Sequence, residues 1–160
     1  MIAMQVCERG EAASESAVIS NALDILRRRV VRPASAVLRV DELGDYLHLM
    51  LAAETRRVVC VAWLNRRRQV LWCGPLFHGD VDHCSVYPRE VVREALRHNA
   101  TQAVLAFSEP TDPEQPDAAA VAQFAAVRDA LGLLGIVVLD CLMITSSKRV
   151  SLVDEGLSCL

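Results

Sequence analysis

The chain has 160 residues, 52% of them apolar, and a formal net charge of −3 at pH 7. This length suits one domain with a real core, and the charge excludes a general attraction for nucleic acid. No apolar run approaches the roughly 20 residues of a membrane span and no signal pattern opens the chain, so we expect a cytoplasmic protein whose six cysteines are free thiols.

The N-terminal third predicts a tail and two helices. Residues 1–15 are small, polar and acidic, and we expect them to be poorly ordered. Ser16 can cap a helix over about 17–31, which Pro33 ends. Leucines at three-to-four spacing predict a second helix over about 40–53.

The next segment predicts a hairpin followed by a loop. Residues 57–64 are rich in valine and aromatic side chains, which is typical of a strand. The arginine-rich turn at 65–68 leads to a return strand over 69–73. Glycine and proline between Gly74 and Asp80 predict a loop there.

The stretch from Ser85 to Asp117 predicts a helix, a strand and a loop. Pro88 fits the first helical turn, and Asn99 is a plausible stop. Residues 103–107 form an almost wholly apolar run, typical of a strand covered on both faces. The proline-rich SEPTDPEQP cannot continue this strand, and loops leaving central strands commonly carry chemistry.

The C-terminal part predicts one more helix and two more strands. Asp117 can cap a helix over 118–133. Residues 135–145 predict a long strand, and 148–153 predict a strand that pairs back on it. The order ααββαβαββ therefore favours an α/β (α+β) domain with one mixed sheet flanked by helices.

The sequence SVYPREVVREALRHNATQAVLA resembles the RadC-type JAB/MPN domain of bacteria, a JAMM metalloprotease-like family. Members read S-V-x-P-R-E-V-x-x-x-A-L-x-x-N-A-A-A-x-I-L, followed by H-N-H-P-S-G-x-x-x-P-S-x-x-D. The resemblance implies a cytidine-deaminase-like fold over residues 54–160. A flexible tail at 1–15 and a helical extension at 16–53 would precede this domain.

The metal motif of the resembled family is where this chain departs from it. There, two histidines and an aspartate hold zinc, and a glutamate on the first strand is the general base. When the motif is aligned on Pro110, Phe107 and Glu109 stand where the family has its two histidines. Asp117 stands at the position of the motif's serine, Ala120 at that of its aspartate, and Arg57 at that of the general base. The resemblance therefore implies the fold without the activity, and we expect no zinc or other cofactor.

The substituted positions also predict what fills the cleft. Phe107 and Ala120 cannot coordinate a metal, and the Arg57 guanidinium cannot take a proton. We predict that Arg57 approaches the metal position and pairs with Glu109, with Asp117 as the alternative carboxylate. Phe107 would turn inward to close the floor. The competing interpretation places Glu109 in solvent on a mobile loop.

Three other groups of residues each have a functional interpretation and a purely structural one. They are the possible metal ligands His78, His83 and Cys84, the possible nucleophile Cys141 with His48 or His98, and the turn Arg66, Arg67 and Arg68 with Arg56 and Arg57 nearby. In the structural interpretations, the histidines lie on the surface, the cysteines are thiols of the core, and the arginine turn is solvated. Salt-dependent DNA binding that is lost when the turn arginines are substituted would favour nucleic-acid binding.

These observations leave three functional hypotheses. The first is a catalytically inactive JAB/MPN pseudoenzyme that binds a protein partner or forms a homodimer. The second is a metal-dependent isopeptidase or peptidase with an altered site. The third is a nucleic-acid-binding accessory protein linked to DNA repair. The high apolar fraction and the wide apolar face of the first helix favour pairing with itself or with another chain.

Overall fold

A computed structural model describes residues 15–26, 28 and 40–153, in which helices flank one five-stranded sheet. The helices are α1 (residues 15–26), α2 (Val40–Leu51), α3 (Pro88–Arg97) and α4 (Ala118–Gly132). The strands are β1 (Val58–Leu64), β2 (Val70–His78), β3 (Gln102–Ser108), β4 (Val137–Ile144) and β5 (Arg149–Ser151). This order confirms the predicted mixed α/β fold.

The sheet has the order β2-β1-β3-β4-β5. Strand β1 is antiparallel to both neighbours, β3 and β4 are parallel, and β5 is antiparallel to β4. The central position of β1 and β3 follows from their sequences, because unbroken apolar runs require cover on both faces. Every residue of β1 is buried, which agrees with that requirement.

Alternate side chains of β1 enter two separate cores, because successive residues of a strand point to opposite faces. Val59, Val61 and Trp63 pack in the core that α3 and α4 cover. The remaining residues of β1 pack in the core that α2 covers with Leu43 and Leu47, both fully buried. Burying one such leucine stabilises the fold by about 1.5–3 kcal/mol.

Strand β2 is longer than predicted, since it continues through Gly74 and Pro75 to His78. The predicted loop from Gly74 onward is therefore wrong over most of its length. Val59 pairs with Phe77 and Cys60 with Pro75, so Leu76 is an extra residue in an irregular register. Proline is tolerated because β2 lies at the sheet edge, where a missing N–H need not break a ladder.

Most other boundaries lie within a few residues of the prediction. Asn99 follows α3 with φ of 52°, as predicted for a helix stop. Strand β4 begins at Val137 instead of residue 135, because Gly135 takes φ of 71° in a turn. The structure describes the predicted first helix only at 17–26 and 28. Residues 1–14, the linker at 32–37 and the end of the chain after Val153 lie outside the described ranges.

Candidate functional site

The candidate site lies where β1 begins and β3 ends. Val59 is paired with Phe107 in the antiparallel ladder, so Arg57 and Glu109 emerge close together at this end of the sheet. The backbone of Arg57 is fixed on its other side, since its N–H donates to Asp80 O at 2.8 Å and its carbonyl accepts from Gly79 N at 2.8 Å. Pairing of this kind fixes the base from which the arginine side chain extends.

Ser108 joins the two strands at the same point. Its buried hydroxyl accepts a hydrogen bond from Val58 N at 2.8 Å and donates one to Arg56 O at 2.8 Å. These two bonds hold the backbone on both sides of Arg57. Our sequence analysis missed Ser108, and the available signal was a polar side chain closing an apolar run.

The Arg57 guanidinium binds both carboxylates that the sequence nominated. Its Nη2 lies 2.5 Å from Glu109 Oε2, and its Nη1 donates to Asp117 Oδ2 at 3.2 Å. The other oxygen of Glu109 accepts from the Thr111 hydroxyl at 2.9 Å. The predicted pair is confirmed, and the interpretation that places Glu109 in solvent is wrong, because its side chain is only 1% exposed.

Asp117 has two roles at this site. It precedes α4 and caps it, accepting a hydrogen bond from Ala120 N at 2.9 Å, as predicted. That backbone hydrogen bond, followed by the neighbouring Arg57 guanidinium, lowers the pKa of Asp117 below its ordinary value. The carboxylate is therefore kept ionised and oriented toward the arginine.

The remaining degenerate positions form the floor of the cleft. Phe107 turns inward, as predicted, and stacks on Phe124 with ring centroids 4.8 Å apart. Ala120 is buried beside them. A small cavity between Arg57, Phe107, Ala120 and Cys84 has a volume of about 10 Å³, which is room for about one water molecule.

The side chains at these positions do not fit a zinc ion. Zinc requires imidazole, thiolate or carboxylate ligands in tetrahedral geometry. The degenerate positions offer instead an aromatic ring, a methyl group and a guanidinium charge, while Glu109 is already paired. The Cys84 thiol also lines this cavity, but burial raises its pKa and disfavours the thiolate that zinc would need. Across the described ranges, no group of three or more His, Cys, Asp and Glu side chains is placed to hold a metal.

The structure does not assemble His78, His83 and Cys84 into a metal site. His78 lies exposed at the end of β2, whereas the His83 ring lies 3.1 Å from the Ser85 hydroxyl. Cys84 is buried in the core beneath α3 and α4, and this burial raises the pKa of its thiol. The surroundings of these three residues support surface histidines and a buried thiol rather than a metal site.

Cys141 does not meet either of the histidines considered with it. It lies buried in the core beneath α3 and α4, where burial raises the pKa of its thiol and disfavours the reactive thiolate. His98 stacks on Trp72 with ring centroids 5.4 Å apart, and His48 lies on α2, which covers the opposite face of the sheet. No Cys–His nucleophile is formed by these residues.

The arginine turn lies at the other end of β1. Asn65 fixes it, because its side-chain oxygen accepts hydrogen bonds from Arg67 N at 2.9 Å and Gln69 N at 3.0 Å. The side chains of residues 66–68 are exposed. The length of β1 separates them by more than about 20 Å from Arg57, so the expected proximity was wrong. Nucleic-acid binding by this turn stays a prediction.

Gly79 forms part of the wall beside Arg57 and supports a testable prediction. A Cβ at this position would collide with the His83 carbonyl oxygen and lie 2.7 Å from Cys84 Cβ. We expect Gly79→Ala to lower the free energy of unfolding by about 1–3 kcal/mol in urea denaturation, because the backbone must move. Gly132→Ala is the matched control, since a Cβ there meets nothing within 4 Å. Equal unfolding midpoints for the two variants would contradict the prediction.

Comparisons with known proteins add evidence about ancestry. The family model described as RadC-like JAB domain matches residues 37–157, a range that contains α2 and the whole sheet. A UPF0758 protein of Methylibium petroleiphilum is 33% identical over 152 residues, covering 93% of this chain and 68% of the relative. A UPF0758 protein of Vibrio cholerae is 34% identical over 146 residues and covers 91% of each chain.

A third relative matches over a shorter range. A UPF0758 protein of Cellvibrio japonicus is 37% identical over 112 residues, covering 70% of this chain and 50% of the relative. Helix α1 lies outside the range of the family model, although the longer matches cover more than nine tenths of the chain. Within residues 15–26, 28 and 40–153, no helix has the length and apolar character needed to cross a membrane.

Proposed function

This chain belongs to the RadC-like JAB domain family, and we propose that it acts there as a non-catalytic protein-interaction module, a pseudoenzyme. One observation carries the proposal. The guanidinium of Arg57, which the resemblance aligns with the family's general base, is bound by Glu109 and Asp117 inside the cleft. Two carboxylates neutralise the arginine, and the arginine in turn occupies the space between them.

The chemistry of this arrangement argues against hydrolysis. A hydrolase needs a group that accepts a proton from the attacking water, and a guanidinium does not do this near neutral pH. Glu109 is a poor substitute, because Arg57 and Thr111 already bind both of its oxygens. Phe107 and Ala120 line the cavity beside Arg57 and offer no group that could coordinate or polarise a substrate carbonyl. These observations support a scaffold role over a hydrolase with an altered site.

Metal content tests this proposal. Protein purified without a His tag is dialysed against zinc and then measured by elemental analysis and by calorimetric titration with zinc chloride. We expect far less than one zinc per chain and no saturable heat. One zinc per chain that survives dialysis against a weak chelator would contradict the pseudoenzyme and favour a metal-dependent hydrolase.

A further inference from the structure

We propose that α1 carries a self-complementary seam through which two copies of this chain pair as an antiparallel homodimer. The inference deepens the proposed function and rests on it, because it names the partner of the interaction module. The seam consists of Val18, Ala22 and Ile25, with Glu15 and Arg28 at its ends. It lies on a different part of the chain from the Arg57 cleft.

Among the described residues, helix α1 contacts the domain through two leucines. Leu23 and Leu26 pack against the core that α2 covers, so the helix has a defined orientation on the domain. This packing covers part of the wide apolar face from which the sequence predicted pairing, so only the remaining part of that face can serve a partner. Three larger apolar side chains of the helix stay exposed: Val18 at 66%, Ile19 at 43% and Ile25 at 45%.

The exposed Val18 and Ile25 lie on one stripe of α1, with the half-buried Ala22 between them. Val18, Ala22 and Ile25 are spaced by four and then three residues, which places them on one side of a helix and is the spacing of a coiled-coil seam. The small Ala22 side chain at the centre lets a second helix approach closely. An uncovered apolar stripe on an anchored helix is typical of a surface that another helix covers.

The charges at the two ends of the seam favour a second copy of α1 as its partner and determine that the two helices run antiparallel. In an antiparallel pair with its two-fold axis between Asn21 and Ala22, Val18 faces Ile25 of the other copy. The same register places Glu15 opposite Arg28, and both side chains are exposed. A parallel pair would instead place like charges together at each end. The surface is therefore complementary to itself only when antiparallel, as a two-fold interface requires.

The size of the seam sets the expected affinity. A helix of this length spans about 18–20 Å and buries a small interface, so we expect a micromolar dissociation constant. The seam lies outside the range of the RadC-like family model, which begins at residue 37. Pairing through α1 leaves the Arg57 cleft and the sheet unchanged.

Sedimentation velocity of the full chain between 1 and 200 µM tests the proposal. We expect a monomer–dimer equilibrium that Val18→Ser with Ile25→Ser weakens by at least about 100-fold, because each interface loses two copies of both contacts. Leu133→Ser is the matched control, since this leucine is 89% exposed and lies away from α1. Circular dichroism confirms that each variant is folded. A monomer at 200 µM, or a dimer that the double serine variant leaves intact, overturns the proposal.

Charge reversal tests the register without removing apolar surface. Glu15→Arg and Arg28→Glu should each weaken the dimer by about three- to tenfold, and combining them should restore the original affinity. Failure of the combined variant to recover overturns the antiparallel register. None of these changes touches the cleft, so zinc content still tests the pseudoenzyme role separately. A dimer that binds zinc would contradict only the pseudoenzyme role. A monomer without zinc would contradict only the proposed seam.

Discussion

Replacing Arg57 with alanine should lower the free energy of unfolding by roughly 3 kcal/mol, because it leaves the Glu109 carboxylate buried without its partner. Glu109 is only 1% exposed, whereas Arg57 is 17% exposed, so the estimate lies at the lower end of the range for broken buried pairs. An exposed ion pair would contribute no more than about 1 kcal/mol. Urea denaturation measures the difference through the shift in midpoint.

Two further variants make the result specific. Arg56→Ala is the matched control, because this neighbouring arginine is exposed and should change the stability by less than about 0.5 kcal/mol. Arg57→Ala combined with Glu109→Gln removes the stranded charge and should recover part of the loss. If Arg57→Ala unfolds at the same urea concentration as Arg56→Ala, the buried pair does not stabilise the fold.

Zinc affinity should appear when the ligand positions are rebuilt and Arg57 is replaced as well. Phe107→His, Glu109→His and Ala120→Asp supply the family's three ligands. With Glu109 gone, the guanidinium loses one partner and leaves a positive charge at the metal position, so this triple variant should bind zinc weakly. Adding Arg57→Glu should tighten binding at least about tenfold and supplies the base that hydrolysis needs.

Competition with a chromophoric zinc chelator measures these affinities, and circular dichroism confirms folding. Phe107→His with Ala120→Asp alone is the matched control, because it retains the Arg57–Glu109 pair and should show no saturable binding. A folded quadruple variant that binds zinc no better than the unmodified chain would mean that these positions are not aligned with the family's ligands.

Local sequence signals predicted the elements around the site well. Pro88, Asn99 and Asp117 mark a helix start, a helix stop and a cap, and each side chain has that role in the structure. Strand β2 was cut short because Gly74 and Pro75 are turn residues in most contexts. Its place at the sheet edge allows both residues to remain in a strand, and edge position depends on tertiary pairing that no short window contains.

The sequence predicted the charged residues of the candidate site but not the hydrogen bonds that hold its backbone in place. The resemblance to the JAB/MPN family implied that Arg57 and Glu109 share one cleft, and their opposite charges then predicted the contact. The hydrogen bonds of the Ser108 hydroxyl join residues about 50 positions apart in the chain, and no local sequence pattern indicates them. The sequence left the burial of Glu109 open between the cleft and solvent, because SEPTDPEQP has the composition of an exposed loop, whereas backbone pairing with Ile144 extends the ordered structure past β3.

The irregular edge strand β2 has a consequence for aggregation. No other strand of the described residues pairs with the outer edge of the nine-residue β2, and such an edge is ordinarily a template on which strands of other chains add. Pro75 supplies no N–H to such a strand, and the extra residue at Leu76 interrupts the regular spacing of the groups on either side. A long edge can thus remain exposed at high concentration without seeding cross-β growth.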